Sequence, residues 1–365
     1  MIDNLKIQNF RLFESLEIQG IKRVNLIVGK NNAGKSALLE ALQLYFSGFS
    51  LDVMYEILLR RQENIKVKSN EYILNNPLKS FFKNYTLAIG HDFQVSISTN
   101  HYSYLMKIMI EGNKKYTPLN MDNLDRLNDG NVGVVVSTYS RNKEIASKFI
   151  QLDKPLSSLY NQENIQKLIG AYNTIAIIKS VKFVAANGLN DLETAQLWDS
   201  ISLTSAQDDV IKAFHIIEPK LTGLSFVAAD SETNSRIPII KLRDMPEPIP
   251  LKSLGDGMTR LFHLILSLVT AKDGVLLIDE FENGLHWSTQ SKAWQLIFTL
   301  AEQWNVQVFC TTHSKDCING FEEIWTQYPQ DAAFFRLYRK DNQSYIKTYD
   351  LEMLSDAIET ETEVR

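Results

Sequence analysis

Gly29-Lys30-Asn31-Asn32-Ala33-Gly34-Lys35-Ser36 is the stretch from which the fold of this chain can be read. It meets the pattern G-x-x-x-x-G-K-[ST] at every fixed position. The apolar run 24–28, interrupted only by Asn25, leads directly into Gly29 and predicts a buried strand. Beyond the loop the apolar period lengthens. Leu38, Leu42, Tyr45 and Phe49 fall on one helical face, which Leu39 and Phe46 widen. Strand, glycine-bearing loop and helix in that order make a phosphate cradle. The glycines let backbone N–H groups close on an anion, and the helix start adds its positive dipole end. Lys35 is suited to bridging a β- and a γ-phosphate, and the Ser36 hydroxyl to sitting on Mg2+. A chance glycine turn beside a surface lysine would lack both flanks.

Three further stretches fit the same chemistry. Val275-Leu276-Leu277-Ile278-Asp279-Glu280 is an aliphatic strand ending in two carboxylates, the Walker B pattern. Asp279 is expected to hold Mg2+, directly or through water, and Glu280 to polarise the attacking water. Paired acids at a strand end are usually a solvated cap, and the complete loop upstream is what favours the functional reading. Thr311-Thr312-His313-Ser314 follows the apolar run 306–310. A lone histidine is more often structural, but ligands gather at the carboxyl ends of parallel strands, within reach of a γ-phosphate or its attacking water. Lys252-Ser253-Leu254-Gly255-Asp256-Gly257-Met258 precedes a helix. It is either a second anion-ready N-terminus or an ordinary helix cap, and spacing alone leaves both open.

The rest of the chain bounds the answer. The net charge of −5 argues against indiscriminate coating of nucleic acid, though not against a local basic groove. Two cysteines, Cys310 and Cys317, can form neither a disulfide framework nor a four-ligand zinc site, and Cys310 reads as a small core residue. Residues 1–9 lack the apolar core of a signal peptide, and the longest apolar run, 261–269, is broken by His263. It falls far short of the ~20 residues a membrane span needs. The expectation is a cytoplasmic protein.

Alternation at Leu5, Ile7 and at Leu16, Ile18 predicts an N-terminal hairpin. Residues 51–80 are weakly patterned. Period-2 segments over 85–116 predict an antiparallel meander, with 133–137 and 182–186 as later strands separated by a mostly helical region, 143–179. Helical periodicity over 192–217 precedes a strand pair, 224–229 and 237–242, and a Pro-rich connector, 245–250. The last third alternates helix and strand (257–270, 274–278, 289–304, 306–311), which argues for a parallel sheet, and 334–349 reads as a closing hairpin. The acids from Asp350 onward read as a solvated end.

Taken together these motifs resemble the ABC-type ATPase heads of the SMC, RecF and OLD lineage. Ile7-Gln8-Asn9-Phe10-Arg11-Leu12-Phe13 is similar to that family's N-terminal strand motif, residues 29–36 to its Walker A, and 253–256 stand where it keeps its signature. Asp279-Glu280-Phe281-Glu282-Asn283-Gly284-Leu285-His286 is similar to its Walker B and D-loop run, and His313 to its switch histidine. The resemblance implies one bilobed α/β domain over 1–365, a P-loop NTPase with a mixed central sheet. Its nucleotide-binding core is 1–50 with 251–349, its β-meander lobe 51–140, and its helical, signature-side lobe 141–250. It further implies ATP and Mg2+ as cofactors and a head-to-tail homodimer. In that dimer Ser253 and Gly255 close on the nucleotide held by Gly29, Lys30, Asn31, Asn32, Ala33, Gly34, Lys35 and Ser36 of the other copy. It implies that Arg11 lies near the nucleotide. The signature reads Ser-Leu-Gly-Asp-Gly, away from the transporter form. Several glutamines, Gln94 among them, are candidates for the family's glutamine loop. The family's Toprim nuclease is expected to be absent after His313. The resemblance therefore suggests an ATPase switch acting on a separate effector, a nuclease or toxin, in anti-phage defence, with a RecF-like DNA-repair ATPase as the alternative. Lys79, Lys83, Lys107, Lys114 and Lys115 are scattered candidates for nucleic-acid contact and no membrane partner is implied.

Overall fold

The computed structural model of the chain describes residues 1–63, 77–83, 94–112, 115–118, 132–151, 179–229 and 236–365. β1 (Asn4–Phe10) and β2 (Phe13–Gln19) form the expected hairpin, with Leu5, Ile7, Leu16 and Ile18 turned inward. β3 (Val24–Val28) is buried at all five positions, as a strand covered on both faces must be. Gly34 caps α1 (Lys35–Phe46), and Ser50 caps α2 (Leu51–Arg60) by accepting from the Val53 N–H.

The meander is present as β4 (Gln94–Ser98), β5 (Ser103–Gly112), β6 (Lys115–Pro118), β7 (Val132–Ser140) and β8 (Lys143–Gln151). β4 pairs with β1, so the order β2-β1-β4-β5-β7-β8, with β6 on β5, makes one antiparallel sheet. β8 corrects the helical expectation for 143–151 and the boundary placed at residue 140. Ile145 and Phe149 are four apart, a spacing that one helix face shares with one strand face. Arg141 and Asn142, both at positive φ, make a two-residue turn that sets Ser140 opposite Lys143 and returns the chain as a strand. The rest of the expected helical region, 152–178, and the first part of the expected meander, 85–93, lie outside the described residues.

β9 (Val181–Val184) leads to α3 (Asp191–Ile201) and α4 (Ser205–Ile217). β10 (Leu221–Ala228), β11 (Arg236–Leu242) and the short β12 (Ile249–Pro250) form a three-stranded sheet, one strand more than expected. A 3-10 turn, Leu251–Leu254, opens into α5 (Asp256–Thr270). β13 (Val275–Ile278), α6 (Trp287–Gln303), β14 (Gln307–Thr312), α7 (Lys315–Trp325), β15 (Ala332–Lys340) and β16 (Gln343–Tyr349) follow. α8 (Leu351–Glu359) replaces the solvated tail: Asp350 caps it, and Leu354 and Ala357 are buried.

The central sheet runs β16-β15-β3-β14-β13-β9, parallel except for β16. Strand alternation divides its side chains between two cores. Val24, Leu26, Val28, Leu276, Ile278, Val308 and Cys310 pack with α3–α7. Ile27, Val275, Leu277 and Phe309 face the other way, onto α1 and the antiparallel sheet. α1 is therefore buried on nearly every side, wedged between two sheets. Both cysteines are free and fully buried, and burial pushes their thiols well up. Among the described residues, no helix is long and apolar enough to cross a membrane.

Candidate nucleotide-hydrolysis site

β3, β14 and β13 are neighbours and parallel, so the loops leaving their carboxyl ends open onto one place. The first is the phosphate loop. A Cβ on Gly29 would lie 2.3 Å from the Leu337 carbonyl oxygen on β15, so only glycine passes under that strand. Gly34 has φ 109°, and a Cβ there would meet Leu12 at 2.9 Å. Lys35 is buried, and its Nζ donates to the carbonyl oxygens of Gly29 (2.7 Å) and Lys30 (3.3 Å). Burial lowers its pKa, against the opposing pull of Asp279, Glu280 and Glu282. Lys30, Asn31, Asn32, Arg336 and Arg339 border a cavity of about 590 Å³ beside the loop.

The second loop carries the carboxylates. Asp279 Oδ2 accepts from Ser36 Oγ at 2.9 Å, and Asp279 Oδ1 from Thr311 Oγ1 at 2.6 Å. The Glu280 N–H donates to the same Thr311 hydroxyl at 2.9 Å. Glu280 has φ 49°, a left-handed conformation that costs a residue with a Cβ about 1–3 kcal/mol. Arg260 holds it there. Reaching from α5, its Nη2 donates to the carbonyl oxygens of Asp279 (3.0 Å) and Glu280 (3.1 Å), while Nη1 donates to that of Ala185. Arg260 is almost fully buried, and desolvation lowers its pKa to about 10.

The third loop carries His313. Its Nδ1 is 3.1 Å from Glu282 Oε1 and 3.9 Å from Glu280 Oε1. Ser253 and Gly255 are exposed at the start of α5, with Gly255 at φ 97° and ψ 165°. A Cβ on Gly257 would lie 2.9 Å from the Gly284 carbonyl oxygen, so the helix start is seated on the loop after Glu280. Beside that contact, Lys252, Asp256, Arg260, His263 and Asn283 line a cavity of about 510 Å³.

Lys35, Ser36, Asp279, Glu280 and His313 are thus brought to one mouth. Arg11 is not free for the role expected of it. Its Nε sits 2.6 Å from Glu40 Oε2 on α1, and Nη1 and Nη2 donate to Glu63 at 3.1 and 3.2 Å, between the rings of Phe10 and Phe81. Gln94 opens β4 opposite Lys107, within the antiparallel sheet. Among the expected basic contacts, Lys83 pairs with Glu14, and Lys114 lies outside the described residues. Three residues of the site were not singled out from sequence: Arg260, Thr311 and Glu282. Thr311 and Glu282 lie within the quoted strand-end and D-loop runs but had no role assigned there, and Arg260, which shares its helical face with His263 and Ser267, lies outside every quoted motif.

A phosphate loop, a strand-end carboxylate pair and a histidine on three adjacent parallel strands define a P-loop ATPase head. The chain belongs to the AAA ATPase domain family, which it matches over residues 1–318, and it is an ATP-binding, ATP-hydrolysing protein. It is 25% identical to an ATP/GTP phosphatase of Helicobacter pylori, covering 99% of both chains. It is 32% identical to the DNA double-strand break repair Rad50 ATPase of Archaeoglobus fulgidus over 118 residues, 32% of this chain and 12% of that one. A solved SMC head, bound to the C-terminal winged-helix domain of ScpA, shares the fold. Its TM-score is 0.50 at 14% identity, covering 96% of this chain and 99% of that one. The SMC-like head that the sequence suggested is therefore the observed architecture.

Proposed function

We propose that the chain is a Mg-ATP-driven switch that closes as a head-to-tail dimer and opens on hydrolysis. The observation that carries this reading is the meeting of Ser36, Asp279 and Thr311, contributed by three different strand ends. A hydroxyl and a carboxylate oxygen 2.9 Å apart are the hard oxygen donors that Mg2+ takes. Among the described residues, no three His, Cys, Asp or Glu side chains cluster to cage a metal by themselves, which suits an ion shared with nucleotide phosphates. When bound, the ion neutralises phosphate charge. The protein's own part is positional. Lys35 leaves the Gly29 carbonyl for the phosphates, Glu280 orients the attacking water, and His313 stands by the γ-phosphate. Glycines 29 and 34 let the loop close around them.

Ser253 and Gly255, exposed on an open helix start, suit an anion presented by a second copy. The motion would govern a separate effector, a nuclease or toxin, in anti-phage defence, within the cytoplasm. The Rad50 match favours a second reading, a RecF-like repair ATPase that grips DNA when ATP-closed. Size-exclusion chromatography of Glu280→Gln with and without ATP and Mg2+ tests the dimer: a shift to twice the mass with ATP is expected, and a monomer in both runs sinks it. Binding of duplex DNA that needs ATP and falls steeply with salt would move the choice to the repair reading.

A further inference from the structure

Glu282 is an acid that the phosphate chemistry does not itself require, yet it is the most enclosed carboxylate facing His313. Its side chain is 10% exposed, against 39% for Glu280. A single oxygen, Oε1, meets both nitrogens on that side of the histidine, by a hydrogen bond from the backbone and a close approach to the ring. It accepts the His313 backbone N–H at 2.9 Å and lies 3.1 Å from Nδ1. Its second oxygen, Oε2, is buried with no hydrogen-bond partner among the described residues. On the far side, Arg365 Nη1 donates to the His313 carbonyl oxygen at 2.7 Å, so the backbone of this residue is held from both ends.

The ring geometry has one electrostatically sensible reading. At 3.1 Å a carboxylate oxygen repels a bare nitrogen lone pair and attracts an N–H, so the contact favours the proton on Nδ1. Nε2 is then the free nitrogen, and the half-exposed ring offers it as an acceptor. A buried carboxylate orients the histidine of hydrolytic triads by the same physics.

We infer that Glu282 is a positioning residue for ATP hydrolysis, fixing the Nδ1–H tautomer and the orientation of His313. This rests on the proposed role of His313 at the γ-phosphate. Glu280 orients the water, and Glu282 acts one step behind, through the imidazole.

The test uses the full chain labelled with 15N-histidine, with the His313 ring signals assigned by their loss in His313→Ala. The wild type is expected to show Nδ1–H, and Glu282→Ala to shift the ring toward Nε2–H or a mixture. Turnover of Glu282→Ala should fall about tenfold or more with KM for ATP little changed, because the loss is of orientation and not of binding. Glu282→Gln keeps the size and one carbonyl acceptor, so it should hold the tautomer, lose less turnover than the alanine variant, and remain informative where that variant folds poorly. In a His313→Ala background, Glu282→Gln should have no further effect. An unchanged tautomer in Glu282→Ala overturns the inference, as does an equal loss of turnover with and without His313. Were His313→Ala itself fully active, the role of His313 and the hydrolytic part of this inference would fall together, while the tautomer measurement would still decide whether Glu282 orients the ring.

Discussion

Ser36 Oγ donates to Asp279 Oδ2 at 2.9 Å, joining residues 243 positions apart in sequence. The bond occupies the two oxygens that a divalent ion would share, and Thr311 fixes the other carboxylate oxygen at 2.6 Å. Donors held in place before the ion arrives lose little orientational freedom when it does.

Asp279→Asn should therefore cost metal dependence before it costs folding, because the amide oxygen can still accept from Ser36 or Thr311. Calorimetric titration with ATP, in Mg2+ and then in EDTA, checks this. Wild-type affinity should fall at least about tenfold on chelation, a loss of about 1.4 kcal/mol, and that of the variant should change little.

Lys35→Met should abolish ATP binding while leaving the empty protein no less stable. The lysine is buried against carbonyl oxygens, and burial lowers its pKa from 10.5. Between the lowered folded value and 10.5, the unfolded chain holds more protons than the folded one. Stability from this group therefore rises with pH through that window. Urea melts of Lys35→Met across the alkaline range should lack this component. A wild-type profile with the same slope would show that Lys35 does not carry it.

Arg260→Lys should lower kcat by about tenfold to a hundredfold, with nucleotide affinity within a few-fold of wild type. Lysine cannot span the carbonyl oxygens of Ala185, Asp279 and Glu280 that the guanidinium fork holds, and Glu280 at φ 49° then loses its brace. Single-turnover rates beside equilibrium ATP binding separate the effects. Parallel loss of both would assign Arg260 to binding.

His263 should make the protein acid-labile. It is buried on α5 beside Arg260, accepts from the Leu189 N–H at 3.2 Å, and burial lowers its pKa to about 4 from 6.5. Between these values the unfolded chain binds the extra proton, so stability falls as pH drops from 6.5 toward 4. The loss amounts to roughly 3 kcal/mol at 1.36 kcal/mol per unit. Denaturant midpoints at pH 7 and pH 4.5 should differ less in His263→Gln than in wild type.

Gly257→Ala should loosen the seat of α5. The new methyl would lie 2.9 Å from the Gly284 carbonyl oxygen, and backbone must yield, at about 1–3 kcal/mol. A lowered melting temperature with reduced turnover is expected. An unchanged protein would show that the helix start shifts freely.

Much of the fold was legible because its signals are local. The apolar run 24–28, polar only at Asn25, announced β3, and the glycines at 29 and 34 announced the loop. The antiparallel hairpins were read from alternation wherever the turn was also read. β8 was missed because Ile145 and Phe149 also suit a helix and the Arg141-Asn142 turn lacks glycine. α7 and α8 escaped because one follows the switch histidine directly and the other is rich in acids, yet each buries one apolar face.

By itself the sequence determined which residues could touch a triphosphate, since the loop, the strand-end acids and the histidine are each written in contiguous residues whose backbone demands are short-range. Tertiary structure decided who supports them. Arg260 reaches the carbonyls of Asp279 and Glu280, Thr311 bridges Asp279 and Glu280, Glu282 takes His313, and Arg11 is spent on Glu40 and Glu63. These partners depend on strand order in a sheet whose two faces bury different cores, and that order follows from packing between segments hundreds of residues apart, which no local pattern records.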